Sequence, residues 1–147
     1  MSILDDLTSG DSQRIWQGAC AIRHLYDHEE LMQLAGHLAQ IRDTTRGVAL
    51  GGALHPNASH LAFAIGKLEF VKDVRGCLCA LYERDHFYNP VDEEKNGRIR
   101  ILGTTFVSGP YVDFYDCECV TCGARYRVIE RDYHYTWWGW ARVSSGP

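Results

Sequence analysis

Apolar residues recur at helical spacing through the first half of the chain and at a spacing of two through most of the second, with the change near residue 76. In the first half, Leu31, Leu34, Leu38 and Ile41 line one helical face, and Asp27 followed three residues later by Glu30 reads as a capping box at its start. This pattern predicts a helix over 28–42. Ahead of it, Ser12 is placed to cap a helix carrying Ile15, Ala19, Ile22 and Leu25. Behind it, Asn57 is placed to cap a third, with Leu61, Ile65, Leu68 and Val71 on its face. The segment 46–56, RGVALGGALHP, is rich in turn formers and reads as a connection. No internal repeat calls for a solenoid.

In the second half, β-branched and aromatic residues separated by turn formers predict strands at 77–82, 98–107, 111–119, 125–132 and 134–143. Five strands in series make an antiparallel meander. The expected fold is α+β, a single domain over 1–147 in which a helical part, 1–75, packs with a β part, 76–147. The polar stretch 83–97, ERDHFYNPVDEEKNG, is expected to be a long loop that ends at the Asn96-Gly97 turn.

With 46% hydrophobic and 23% charged residues, the chain can bury a core. The net charge is −4, and the acidic excess divides evenly, with 7 basic against 9 acidic side chains in 1–75 and 8 against 10 in 76–147. General nucleic-acid binding calls for a basic excess somewhere, so a basic protein partner fits the charge better. No apolar run is long enough for a membrane span, and the N-terminus lacks the order of a secretory signal, so a cytoplasmic protein without a membrane partner is expected.

Five of the six cysteines lie in the second half, as Cys77-Leu-Cys79 and Cys117-Glu-Cys119-Val-Thr-Cys122-Gly123. A reducing compartment disfavours disulfides, and a thioredoxin-like motif belongs at a strand-to-helix junction, whereas this one sits between two strands. Packed free thiols and a metal site remain. The order Cys119-x-x-Cys122-Gly123-x-x-Tyr126-x-Val128 resembles the second knuckle of a zinc ribbon, and the thiolates of Cys77, Cys79, Cys119 and Cys122 would close a tetrahedral zinc site. Cys77-x-Cys79 departs from the usual Cys-x-x-Cys spacing of a first knuckle. Cys117, on the same strand face as Cys119, competes for the fourth position, and Cys20 reads as a core residue. Four thiolates leave no place for a water, so the zinc would be structural. Nucleophile-elbow, phosphate-loop, His-Glu-x-x-His and deaminase signatures are all absent, and His86 and His134, the better-placed histidines, have no recognisable partner, so no catalytic residue is expected.

The final strand, DYHYTWWGWARV, is dense in aromatics. Alternation puts Tyr133, Tyr135 and Trp137 on one face, with Trp138 and Trp140 on the other. One account buries these rings as core; another leaves some exposed as binding anchors, Trp138 and Trp140 among them. Arg125 and Arg127 on the neighbouring strand's outward face would suit base stacking, the competing use.

Taken together, GCLCALY, the segment GPYVDFYDCECVTCGARYRVIERDYHYTWWGW and the helical front half resemble small bacterial immunity proteins, the antidotes encoded beside polymorphic or contact-dependent toxins, some of which carry zinc-ribbon-like knuckles. The resemblance implies a stoichiometric inhibitor that binds a cognate toxin domain, such as a basic nuclease, and blocks its active site without catalysis of its own. Carried onto this chain, it puts the partner contacts at Asp92, Glu93 and Glu94 of the polar loop and at Asp113, Asp116 and Glu118. The alternative is a zinc-ribbon module that binds nucleic acid or a transcription or translation partner.

Overall fold

The computed structural model describes residues 2–52, 56–107, 109 and 111–143. The chain divides into two compact units, Met1–Gly76 and Cys77–Pro147, and the division falls where the apolar spacing changes. The fold is α+β: helices occupy the N-terminal and middle parts, and a four-stranded antiparallel sheet the C-terminal part. No helix among the described residues is long and apolar enough to cross a membrane.

The first unit holds α1 (Ile3–Leu7), α2 (Ser12–Arg23), α3 (His28–Ala35), α4 (Leu38–Thr45) and α5 (Asn57–Asp73). The helix expected over 28–42 is therefore two. Leu31, Leu34, Leu38 and Ile41 are all buried as the spacing requires, but the chain breaks at Gly36 and His37, where Gly36 caps α3. A break this short leaves the four apolar positions on one side, so their periodicity does not register it. The expected caps move by one residue at α2 and α5. Asp11, not Ser12, accepts the Arg14 amide at 2.9 Å, and Pro56 stands at the α5 cap while Asn57 Nδ2 donates to Leu50 O. Asp27 Oδ1 accepts the Glu30 amide at 2.8 Å. A reciprocal capping box forms at Ser2 and Asp5, whose carboxyl is held below its ordinary range chiefly by the Ser2 amide.

A lysine lies in this helical core. Lys67 is 1% exposed, and its Nζ donates at 2.7–2.9 Å to Ile22 O, Arg23 O and Leu25 O, carbonyls at the end of α2 and in the turn after it. Beside it, Arg23 Nη2 lies 3.0 Å from His60 Nδ1. A guanidinium can only donate, so that ring nitrogen is the acceptor.

The second unit begins with a 3₁₀ helix (Leu78–Arg84), then α6 (Pro90–Lys95), β1 (Ile99–Thr105), β2 (Phe114–Cys119), β3 (Arg125–Tyr133) and β4 (Tyr135–Val143), the strands pairing in sequence order. The strand expected at 77–82 is the 3₁₀ helix, because a short apolar run with Cys79, Leu81 and Tyr82 buried fits either element. The expected loop 83–97 contains α6. Asn89 caps it through the Val91 amide, Pro90 follows at the first helical position, and Asp92 and Glu93 fill the first turn, all helix-start signals. His134, expected within the last strand, is instead the turn between β3 and β4, with φ 65°.

The sheet alternates cleanly. On β2, Tyr115, Cys117 and Cys119 are buried, whereas Phe114, Asp116 and Glu118 are part-exposed. Rings fill the core behind the inner face: Tyr82 stacks on Trp140 with centroids 4.1 Å apart and meets Tyr88 and Tyr126 edge-on, while Trp140 Nε1 donates to Tyr88 O. Single amides on both sheet edges are bonded by side chains or loop carbonyls. Glu94 Oε2 accepts the Ile101 amide at 2.7 Å on the β1 side; on the β4 side, Glu83 Oε2 accepts the Arg142 amide and His86 O the Trp138 amide.

Candidate metal centre

Four sulfurs converge at one end of this sheet. Cys77 precedes the 3₁₀ helix as its cap and Cys79 lies in its first turn; Cys119 ends β2 and Cys122 lies in the turn to β3. The turn closes through Gly123 N to Cys119 O at 2.9 Å and Cys119 N to Ala124 O at 2.8 Å, and its geometry requires Gly123 at φ 78°, where a β-carbon would be strained. Each pair repeats one device: the Cys79 amide donates to the Cys77 sulfur and the Ala124 amide to the Cys122 sulfur, an amide two residues on in both cases.

All four sulfurs lie within 4.8 Å of one another, with Cys77 to Cys119 at 3.6 Å and Cys79 to Cys122 at 3.5 Å. A disulfide would bring sulfurs to about 2.05 Å. Tetrahedral thiolates at about 2.3 Å from a central ion stand roughly 3.8 Å apart, so the spacing fits a metal ion held by four cysteines. Without an ion, burial pushes the Cys77 and Cys79 thiols up. At Cys122 burial also pushes upward, but the Ala124 amide and the hydrogen bonds from Cys79, Cys119 and Cys77 outweigh it and set the thiol below its ordinary value. A cation at the centre would favour the thiolate at every position. The Tyr126 hydroxyl donates to both Cys79 O and Cys79 Sγ at 3.1 Å, and burial, then that contact, raises its own pKa. Such a contact fixes a ligand's orientation; the sequence places Tyr126 in the knuckle pattern but does not show its contact with Cys79.

Cys117 does not join the cluster. It is buried on the inner face one pleat before Cys119, roughly 7 Å back along the strand. Burial, then the charges of Asp116 and Glu94, push its thiol up to about 12.

The residues expected to contact a partner are dispersed. Asp92 is exposed on α6, but Glu93 is 2% exposed with its carboxylate toward Arg98, and Glu94 caps the β1 edge. The stretch is a short helix docked on a strand, so two of its three acids face inward or bind backbone. Asp116 and Glu118 share the outer face and Asp113 precedes β2, and each pairs with an arginine of β3: Asp113 with Arg131 and Asp116 with Arg127 at 3.1 Å, Glu118 with Arg125 at 3.3 Å. Trp140 is core rather than an exposed anchor, and half-buried Trp138 donates from Nε1 to Glu130 Oε1 at 2.8 Å. Trp137, part-exposed, lines an open groove. Its ring lies 4.9 Å from that of His86, beside an outer-face groove of about 490 Å³ floored by Ile129, Gly139 and Ala141.

Comparison with protein-family models, with curated proteins and with solved structures finds no match. The site's chemistry therefore stands on its geometry alone.

Proposed function

We propose that the chain is a non-catalytic binding protein of the immunity class, which holds a cognate toxin domain in the cytoplasm and covers its active site, with a structural zinc maintaining the unit that binds. The observation that carries the reading is the convergence of four sulfurs within 4.8 Å of one another: around an ion they would fill a tetrahedral shell and leave no position for water or substrate. Four thiolates in that geometry suit zinc among the divalent ions. Among the described residues no second group of three or more metal-ligating side chains offers a hydrolytic centre.

Side chains and a loop carbonyl already occupy amides on both sheet edges, which favours the outer face over strand addition as the binding surface. There the groove beside Trp137 offers an aromatic anchor site, and the three acid–arginine pairs supply a rim of mixed charge. A basic nuclease as the partner rests on the net charge of −4 alone.

Co-expression with the toxin encoded beside this gene tests the reading. The expected result is rescue of growth and a one-to-one complex that survives purification. Protection without a complex, or a neighbour with no toxicity, overturns it.

One observation favours the zinc-ribbon alternative: Arg125, Arg127 and Arg131 form a row on the outer face, with Arg127 4.2 Å above the Phe114 ring. Each of these arginines already engages a carboxylate, which lowers what it can offer a phosphate. A mobility shift at micromolar protein that is lost in Arg125→Ala and Arg127→Ala would favour that alternative.

A further inference from the structure

We propose that the thiol cluster is also an oxidation site, at which a peroxide converts Cys79 and Cys122 to a disulfide and so expels the metal. The inference rests on the metal reading above and on how the four sulfurs differ. Cys122 is exposed, Cys77 half-buried, and Cys79 and Cys119 are 5% and 4% exposed. A small oxidant therefore meets Cys122 first. An accessible sulfur beside a second cysteine that can resolve it is the arrangement that makes thiol oxidation reversible.

Cys79 is that second cysteine, 3.5 Å away, with its sulfur held by the Tyr126 hydroxyl. Closing to a disulfide takes a movement of about 1.5 Å. Cys122 sits in a surface turn, where a side-chain rotation supplies it. Cys77 and Cys119, 3.6 Å apart, form a second such pair. Both pairs cross between the start of the 3₁₀ helix and the end of β2 with its turn, the two segments a metal would tie. Oxidation along these pairs exchanges one cross-link for another and leaves the sheet unit closed.

The chemistry balances in two steps. The Cys122 thiolate attacks one peroxide oxygen, the O–O bond breaks, hydroxide leaves and a sulfenic acid remains. The Cys79 thiolate then attacks the Cys122 sulfur, the S–O bond breaks, a second hydroxide leaves and the S–S bond forms. The two sulfurs together lose two electrons, and one peroxide is reduced to two hydroxides that take up protons from solvent. Two of the four thiolates have left the metal, and an ion held only by Cys77 and Cys119 dissociates.

The test treats the metal-loaded full chain with hydrogen peroxide in the presence of a chromogenic chelator, then maps disulfides by proteolysis and mass spectrometry without reductant. The expected result is release of the metal at about one peroxide per chain, a Cys79–Cys122 cross-linked peptide appearing first, and an unchanged far-ultraviolet circular dichroism spectrum. Cys117, buried and outside the cluster, should remain a thiol. Cys122→Ser lacks one ligand, so it is read by its disulfides alone: Cys79 should keep its thiol at the peroxide dose that cross-links the unsubstituted chain, and a Cys79 disulfide formed at that dose overturns the proposal; if that variant does not fold, the order of disulfides in the unsubstituted chain decides. A first disulfide other than Cys79–Cys122 overturns the proposal, as does full retention of the metal with all thiols intact. A chain that purifies without any metal sinks the metal reading alone: the peroxide map of the reduced chain is still read, with Cys79–Cys122 first supporting the oxidation site and any other order overturning it.

Discussion

Removing the metal should unfold the sheet unit and leave the helical unit intact. A metal held by the four cysteines would join Cys79 to Cys122 across 43 residues, and the chain-entropy relation for a cross-link of that span gives about 4 kcal/mol of stabilisation against the open loop. For a unit the size of 77–147, a loss of that size lowers the melting temperature by roughly 15–30 °C. Loss of the metal also leaves four thiols crowded within 4.8 Å, two of them under burial that opposes ionisation. The assay is thermal melting after dialysis against a strong chelator, followed at two wavelengths. Near-ultraviolet dichroism follows the stacked Tyr82 and Trp140, which belong to the sheet unit; far-ultraviolet dichroism is dominated by helices of the first unit. The near-ultraviolet transition should fall by the stated amount or vanish, the far-ultraviolet transition should hardly move, and zinc should restore the first. A shift of less than about 5 °C, well below that expected from the cross-link alone, would refute the reasoning.

Three further outcomes follow from particular contacts. Lys67→Met should destabilise the helical unit by about 3 kcal/mol, because the carbonyls of Ile22, Arg23 and Leu25 lose the Lys67 ammonium while Ile22 O keeps the Leu25 amide, with the metal content unchanged; chemical denaturation and elemental analysis read the two. Trp137→Ala and Trp140→Ala should separate binding from folding. The first should weaken the partner complex at least tenfold in calorimetry while the melting temperature holds, and the second should cost about 3–5 kcal/mol of stability through the cavity it leaves under Tyr82. Glu94→Ala should uncover the Ile101 amide on the β1 edge, cost about 1 kcal/mol, and increase self-association in sedimentation velocity.

The local rules of the chain carry much of this architecture. Helical spacing in the first half, alternation in the second and the change near residue 76 are properties of neighbouring residues, so the α+β class and the runs of β1 to β4 can be read without a structure. The four cysteines are legible for a similar reason: a glycine that permits the Gly123 turn, and two close pairs, are short-range signatures of a knuckle. Tertiary structure decided what depends on distant partners. Periodicity sees the buried face shared by α3 and α4 but not the break at Gly36, and it cannot tell the short apolar run at 78–82 from a strand. Acidic residues look alike in sequence. Only packing separates Glu93, turned inward toward Arg98, from Glu94 on a strand edge and from Asp113, Asp116 and Glu118, each matched to an arginine across the sheet. Lys67 is the clearest case. Its polarity marks it for the surface, yet three backbone carbonyls from α2 and the turn after it, 42–45 residues away in sequence, satisfy all of its donors and hold it in the core. Burial of a charge is decided by whether such partners arrive, and those partners are brought by the fold.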